Sequence, residues 1–302
     1  LAAFLRFYRL DAQSFWNDEG NTARLVERTV ALILEGAAGD IHPPGYYLLL
    51  HVWRVLVGQT EFALRSYSAF CGLGMVAVAI ALGRRSGGWI AGLVAGTLVA
   101  LHPLAIAYSQ EARMYAQLGL VSGLTLLAAT TLVASPRIPP RQRGTWQPTL
   151  ALALCIAGGL YTQYTYILAL VGLNVAFGVL WLTLRPIRWG ILTRWTLAHT
   201  LGGAFFLPWA PIALSAAGWQ PPDLDPGGAV RSLSQALFLG TTLPRTVAVG
   251  PVLVVGAALL VAGIAAQLLH RPRLGFSGWG ALGMATVPAA LIVITGIYRP
   301  AY

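Results

Sequence analysis

Lysine is absent from this chain of 302 residues, and all 20 of its basic side chains are arginine. Charge of either sign is scarce at 10 % of the residues, against 57 % apolar. A soluble domain could not keep so little charge at its surface, so a helical membrane protein is expected. The net charge of +10 therefore argues for no nucleic-acid partner; in such a protein arginine mostly sets orientation. The exclusive use of arginine fits genomic composition better than a preference for bidentate phosphate binding. Cysteine is nearly absent too. Cys71 and Cys155 lie inside apolar stretches with neither a metal-ligand spacing nor a loop position, which excludes a zinc site or a disulfide framework. The chain lacks an initiator methionine and a visible signal peptide. Its first residues resemble the tail of a helix already under way and its last stop just after a span, so it is expected to be truncated at both ends.

The long apolar runs are the dominant positive signal. Trp89 to Tyr108 and Ala248 to Leu269 each reach the roughly 20 residues a bilayer crossing needs. Four arginine clusters mark the cytoplasmic side: Arg84 with Arg85; Arg137, Arg141 and Arg143; Arg185, Arg188 and Arg194; and Arg271 with Arg273. Between them the expected spans are Ser66 to Gly83, Trp89 to Ala107, Met114 to Ala134, a pair joined at Tyr161 to Tyr164, Trp195 to Leu214, Val247 to Leu269 and Phe276 to Ile297. This orientation sends residues 11–65 outside as a large structured loop, and 215–246 as a second one. It requires the short apolar stretch Pro44 to Val57 to lie on or dip into the outer leaflet. Asn21 to Gly36 reads as one amphipathic interfacial helix, with Leu25, Val26, Val30 and Ile33 on its apolar face.

Acidic residues in such a chain need a reason, because ionisable groups near a bilayer are costly and mark sites or pathways. Asp18 and Glu19 stand side by side after the first apolar stretch. Asp18 can be a helix cap or a general base whose pKa desolvation raises toward the working range. Glu19 would position an acceptor or hold a divalent cation. His42, beside Asp40 and ahead of two prolines, can donate to a phosphate or ligate a metal, with Asp40 orienting it. Glu111 and Arg113 form a dense polar patch with Gln110 between two spans; the plain alternative is a local ion pair. Arg65 either faces a phosphate or pairs with Glu61 at helical spacing. Tyr46, Tyr47, Tyr161 and Tyr164 read as an aromatic belt.

Taken in order, the acidic pair, His42-Pro-Pro-Gly-Tyr-Tyr47, Glu61-Phe-Ala-Leu-Arg65 and Tyr108-Ser-Gln-Glu-Ala-Arg-Met-Tyr115 resemble the bacterial GT-C glycosyltransferases related to protein O-mannosyltransferases and the lipid A aminoarabinose transferase. The likeness covers about Phe15 to Ala116. It implies an all-α polytopic fold with interfacial helices in the first external loop, in the bacterial inner membrane, with the active site on the extracytoplasmic side. It implies a polyprenyl-phosphate-linked sugar as donor and a protein, lipid or glycan acceptor, the reaction inverting the anomeric carbon. On that resemblance Asp18 is the catalytic base with Glu19 beside it. His42, Arg65 and Arg113 hold the donor phosphate, and Asp40, Glu111 and Tyr115 support them. A divalent cation, Mg or Mn, could sit among Glu19, Asp40, His42 or Glu111.

Two other classes make contrary demands. A transporter or lipid-binding membrane protein without catalysis calls for ionisable residues at the bilayer midplane and related halves; here the charges cluster at span ends and no internal repeat is visible. An oligosaccharide polymerase or ligase calls for a large arginine-rich external loop, and 215–246 holds only Arg231 and Arg245.

Overall fold

The computed structural model describes residues 1–134, 146–183 and 189–216, with isolated positions between 254 and 284. The arginine clusters near 137 and 271, Arg185 and Arg188, almost all of the loop 215–246 and most of the last two expected spans lie outside the described residues. The described residues are helical, with no strand among them: α1 (Ala2–Phe7), α2 (Asn17–Val26), α3 (Val30–Ala38), α4 (Gly45–Val57), α5 (Glu61–Leu101), α6 (Pro103–Ser109), α7 (Tyr115–Ala134), α8 (Gln147–Thr162), α9 (Tyr166–Thr183), α10 (Trp189–Phe206), a 3-10 turn (Leu207–Trp209) and α11 (Ala210–Ala216).

Three stretches are long and apolar enough to cross a membrane: Glu61–Leu101, Tyr115–Val133 and Trp189–Ser215. The first is two helices folded against each other. Its reversal falls at Gly87 and Gly88, and Gly88 adopts φ 83°, ψ −167°, a region open in practice to glycine alone. Beside this turn Arg84 lies 4.5 Å over the Trp89 ring, and Arg85 donates to Thr131 Oγ1 of α7 at 2.6 Å. The returning half stops at His102 because Pro103 has no N–H to continue the ladder. The carbonyls of Val99 and Ala100 are taken up by the buried Arg6 guanidinium of α1, at 3.1 Å each, which caps the helix end.

Two apolar cores result. Leu126, Leu132, Leu152, Ile156, Leu173 and Ala198 fill the bundle of α7 to α10, where the Phe177 and Trp195 rings stack 3.9 Å apart. Val26, Ile33, Tyr46, Leu50, Leu64, Met114 and Trp209 form the second, beneath the loop helices. The single interfacial helix expected over Asn21 to Gly36 is broken at residues 27–29 into α2 and α3. The break lets Val26 and Ile33 reach the same core, while Val30 turns outward. Helix α4 has 13 residues, about 20 Å, too short to span a hydrocarbon core of about 30 Å. Tyr46 and Tyr47 are buried on its inner side, so they are core residues and not belt residues. Val52, Val55 and Leu56 face outward. Gly45 brings α4 against α8 so closely that a Cβ there would meet Tyr161 O at 2.6 Å.

Candidate active site

Two charged residues of the first loop, Glu19 and Arg65, meet at one buried contact. Glu19 is 1 % exposed, and Arg65 forks onto it, Nε to Oε1 at 2.9 Å and Nη2 to Oε2 at 2.7 Å. The backbone N–H of Ala112 also donates to Oε1, at 2.7 Å. The other donors of Arg65 reach the carbonyls of Leu10, Gln13 and Ser14. Both side chains are saturated within the protein. Arg65 is therefore unsuited to the phosphate role expected from sequence, and its partner is Glu19 rather than Glu61. Glu19, turned inward, is equally unsuited to meeting a cation or an acceptor; it also accepts from Trp16 N, at 3.4 Å, at the start of α2. Neither Asn17 nor Asp18 caps that helix, whose N-cap is Trp16.

Two polar cavities lie near this contact, and Glu19 and Arg65 themselves line the second of them. Asp18, Asn21, Thr22 and Leu25, one face of α2 at helical spacing, line the first, of ≈ 270 Å³, with Asp40, His42, Tyr47 and Arg113. Asp18 Oδ2 lies 3.5 Å from Arg113 Nη2, and its side chain is 39 % exposed against 7 % for the arginine. Arg113 Nη1 donates to Thr22 Oγ1 at 3.3 Å, whereas its buried Nε has no partner. Burial opposes the Arg113 charge, but Tyr47, Tyr115 and Asp18 outweigh it, and the net effect raises its pKa. The cation is secure at any physiological pH. Opposite it, Asp40 accepts from Ile41 N–H at 2.7 Å and from the Tyr47 hydroxyl at 3.2 Å, and His42 Nδ1 lies 3.4 Å from the same carboxylate. Burial alone would raise the Asp40 pKa; the His42 contact and these hydrogen bonds reverse it to a net lowering.

Glu111 lines the second cavity, ≈ 560 Å³, with Trp16, Gln13, Gln110 and Arg9. Burial first, then the Glu19 charge, raises its pKa. The Tyr115 ring lies against that of Tyr108, centroids 4.5 Å apart and tilted by 35°, close to Arg113. The four residues proposed from sequence as cation ligands thus do not converge, and no cluster of three His, Cys, Asp or Glu exists among the described residues. The four fall into two pairs, Asp40 with His42 at one cavity and Glu19 with Glu111 at the other, and two protein ligands are too few to hold a cation by themselves.

The sequence reading overlooked Thr22 and gave Tyr47 to an aromatic belt rather than to the site. Tyr47 follows Asp40 by seven residues across the Pro43-Pro44 bend, a spacing that hides their contact. A third, mostly apolar cavity of ≈ 640 Å³ opens on the far side of α4, lined by Leu34, Leu48, Leu49, Tyr67, Leu120 and Trp209 among others.

No family model matches the chain, and no curated relative does. Solved structures of ArnT share its arrangement of helices. ArnT from Cupriavidus metallidurans in the apo state superposes with a TM-score of 0.58 at 18 % identity, over 100 % of this chain and 54 % of that one. The fold is that of ArnT. ArnT bound to undecaprenyl phosphate matches with a TM-score of 0.57 at 18 % identity, over 98 % of this chain and 58 % of its own length. The chain thus spans little more than half of ArnT, and the likeness agrees with the resemblance read from the motifs of the first loop.

Proposed function

We propose that the protein is a membrane glycosyltransferase that moves a sugar from a polyprenyl-phosphate carrier to an acceptor hydroxyl or amine on the extracytoplasmic face of the membrane. The observation that carries this reading is the pairing of Asp18 with Arg113, Oδ2 to Nη2 at 3.5 Å, on the wall of one polar cavity that His42 also lines. Nucleophile activation and leaving-group stabilisation are both supplied there.

The acceptor heteroatom attacks the anomeric carbon as the bond from that carbon to the phosphate oxygen breaks. The acceptor proton goes to Asp18, and the charge on the departing polyprenyl phosphate is met by Arg113 and His42. The unpartnered Nε of Arg113 supports the phosphate role, because a buried guanidinium N–H without an acceptor is costly until a ligand supplies one. Attack from the face opposite the phosphate inverts the centre. The apolar cavity beside α4 suits the polyprenyl chain, in keeping with the undecaprenyl phosphate that ArnT binds. Glu19 and Arg65 act as a positioning pair that holds α2 against the 110–113 segment, and Asp40 with Tyr47 orients His42. No group of three candidate ligands stands together among the described residues, and no step is routed through a metal.

Release of polyprenyl phosphate by full-length protein in membranes, measured over a panel of polyprenyl-phosphate sugars, tests the reading. Asp18→Asn is expected to abolish release at unchanged expression. Retained turnover in that variant would remove Asp18 as the base. Saturable solute binding with no turnover for any donor would instead favour a non-catalytic transporter.

A further inference from the structure

The second cavity is left unused by this chemistry, although it is the larger of the two polar ones. Its rim carries two exposed aromatics, Tyr8 at 56 % and Trp16 at 46 %. Between them lie Gln13, Gln110, Glu111 and Arg9. An aromatic belt facing lipid would not enclose amides and charges; flat apolar faces beside planar polar groups match the two-sided surface of a sugar ring. Gln110 is held for such work. Its Nε2 donates to the carbonyls of Leu5 at 3.0 Å and Tyr8 at 3.1 Å, which fixes the amide and leaves its oxygen to accept. No described residue hydrogen-bonds the half-buried carboxylate of Glu111, which is a second open acceptor. Arg9 adopts φ 53°, unusual for a residue with a Cβ, and such strain clusters at ligand clamps.

We propose that this cavity binds a saccharide unit of the acceptor, away from the reacting carbon, with Tyr8 and Trp16 as stacking faces and Gln13, Gln110 and Glu111 as hydrogen-bonding groups. The inference rests on the glycosyltransferase reading for the word acceptor, but the cavity's affinity for a sugar ring does not. Binding energy realised at such a remote subsite can be used to orient the acceptor nucleophile toward Asp18.

The test is saturation-transfer NMR with free glucose, mannose and N-acetylglucosamine on full-length protein in nanodiscs. At least one of these is expected to bind saturably, with affinity lowered about tenfold or more in Trp16→Ala, a loss of about 1.4 kcal/mol. Gln13→Ala, at an exposed position, gives a second reading if Trp16→Ala fails to fold. Asp18→Asn is expected to keep this binding while losing polyprenyl-phosphate release. No saturable transfer to any of the three sugars, or equal affinity in both cavity variants, would overturn the proposal even if donor turnover is intact. Sugar binding that survives Asp18→Asn, in a protein that never releases polyprenyl phosphate, would sustain the cavity and sink the catalytic reading instead.

Discussion

The contact between Glu19 and Arg65 is the place where one side chain carries the most structure. Removing either partner leaves an uncompensated buried charge, which typically costs about 3–5 kcal/mol. Arg65→Ala is therefore expected to lower the thermal midpoint of the purified protein steeply, whereas Arg113→Ala should weaken donor binding more than stability. A stable Arg65→Ala protein with impaired donor binding would restore the phosphate role to Arg65. Glu111 makes a prediction in pH. Its carboxyl titrates above the ordinary range because the charged form is disfavoured in the fold, by burial and by Glu19. Relative to the unfolded chain, that penalty is absent below the unfolded carboxylate pKa and grows as pH rises through the folded value. Glu111→Gln should raise the thermal midpoint at neutral pH and lose that advantage in acid; a constant difference across pH would exclude the effect.

Among the helices, the most exacting points are the reversal in α5 and the contact of α4 with α8. Gly88→Ala forces a Cβ into a backbone region costing about 1–3 kcal/mol, and thermal unfolding should register a loss of that order. Gly45→Ala must push α4 away from Tyr161. It should weaken binding of polyprenyl phosphate, measured directly, because Gly45 also lines the apolar cavity. At this scale the sequence was informative: among the described residues, the apolar helices from residue 66 to 206, the turn near Tyr161 to Tyr164 and the shortness of α4 follow from run length and proline. The break between α2 and α3 was hidden, because the apolar periodicity runs on through residues that tertiary packing separates. The partners of Glu19 were equally hidden. Its contacts with Arg65 and Ala112 bridge 46 and 93 positions, and no local pattern records a pairing of that reach.

For the molecule as a whole, every polar cavity described opens among the loop helices, while the exposed Arg84–Arg85 turn stands at the other end of the first spanning hairpin. The sidedness expected from the arginine clusters can be measured. A membrane-impermeant maleimide should label Ser86→Cys only in inverted vesicles and Ile41→Cys only in intact spheroplasts. Labelling of both from one face would overturn the orientation drawn from arginine.

The Ala112 N–H that Glu19 anchors has a consequence for what this segment can tolerate. With residue 112 pinned, its neighbours must point apart: Glu111 toward one cavity, Arg113 toward the other. Substitution at either neighbour changes one cavity only. A single-residue insertion or deletion here would move Glu111 or Arg113 out of register with the anchored N–H and take a charged wall from its cavity. Spacing, more than identity, is what the chain between α6 and α7 has to preserve.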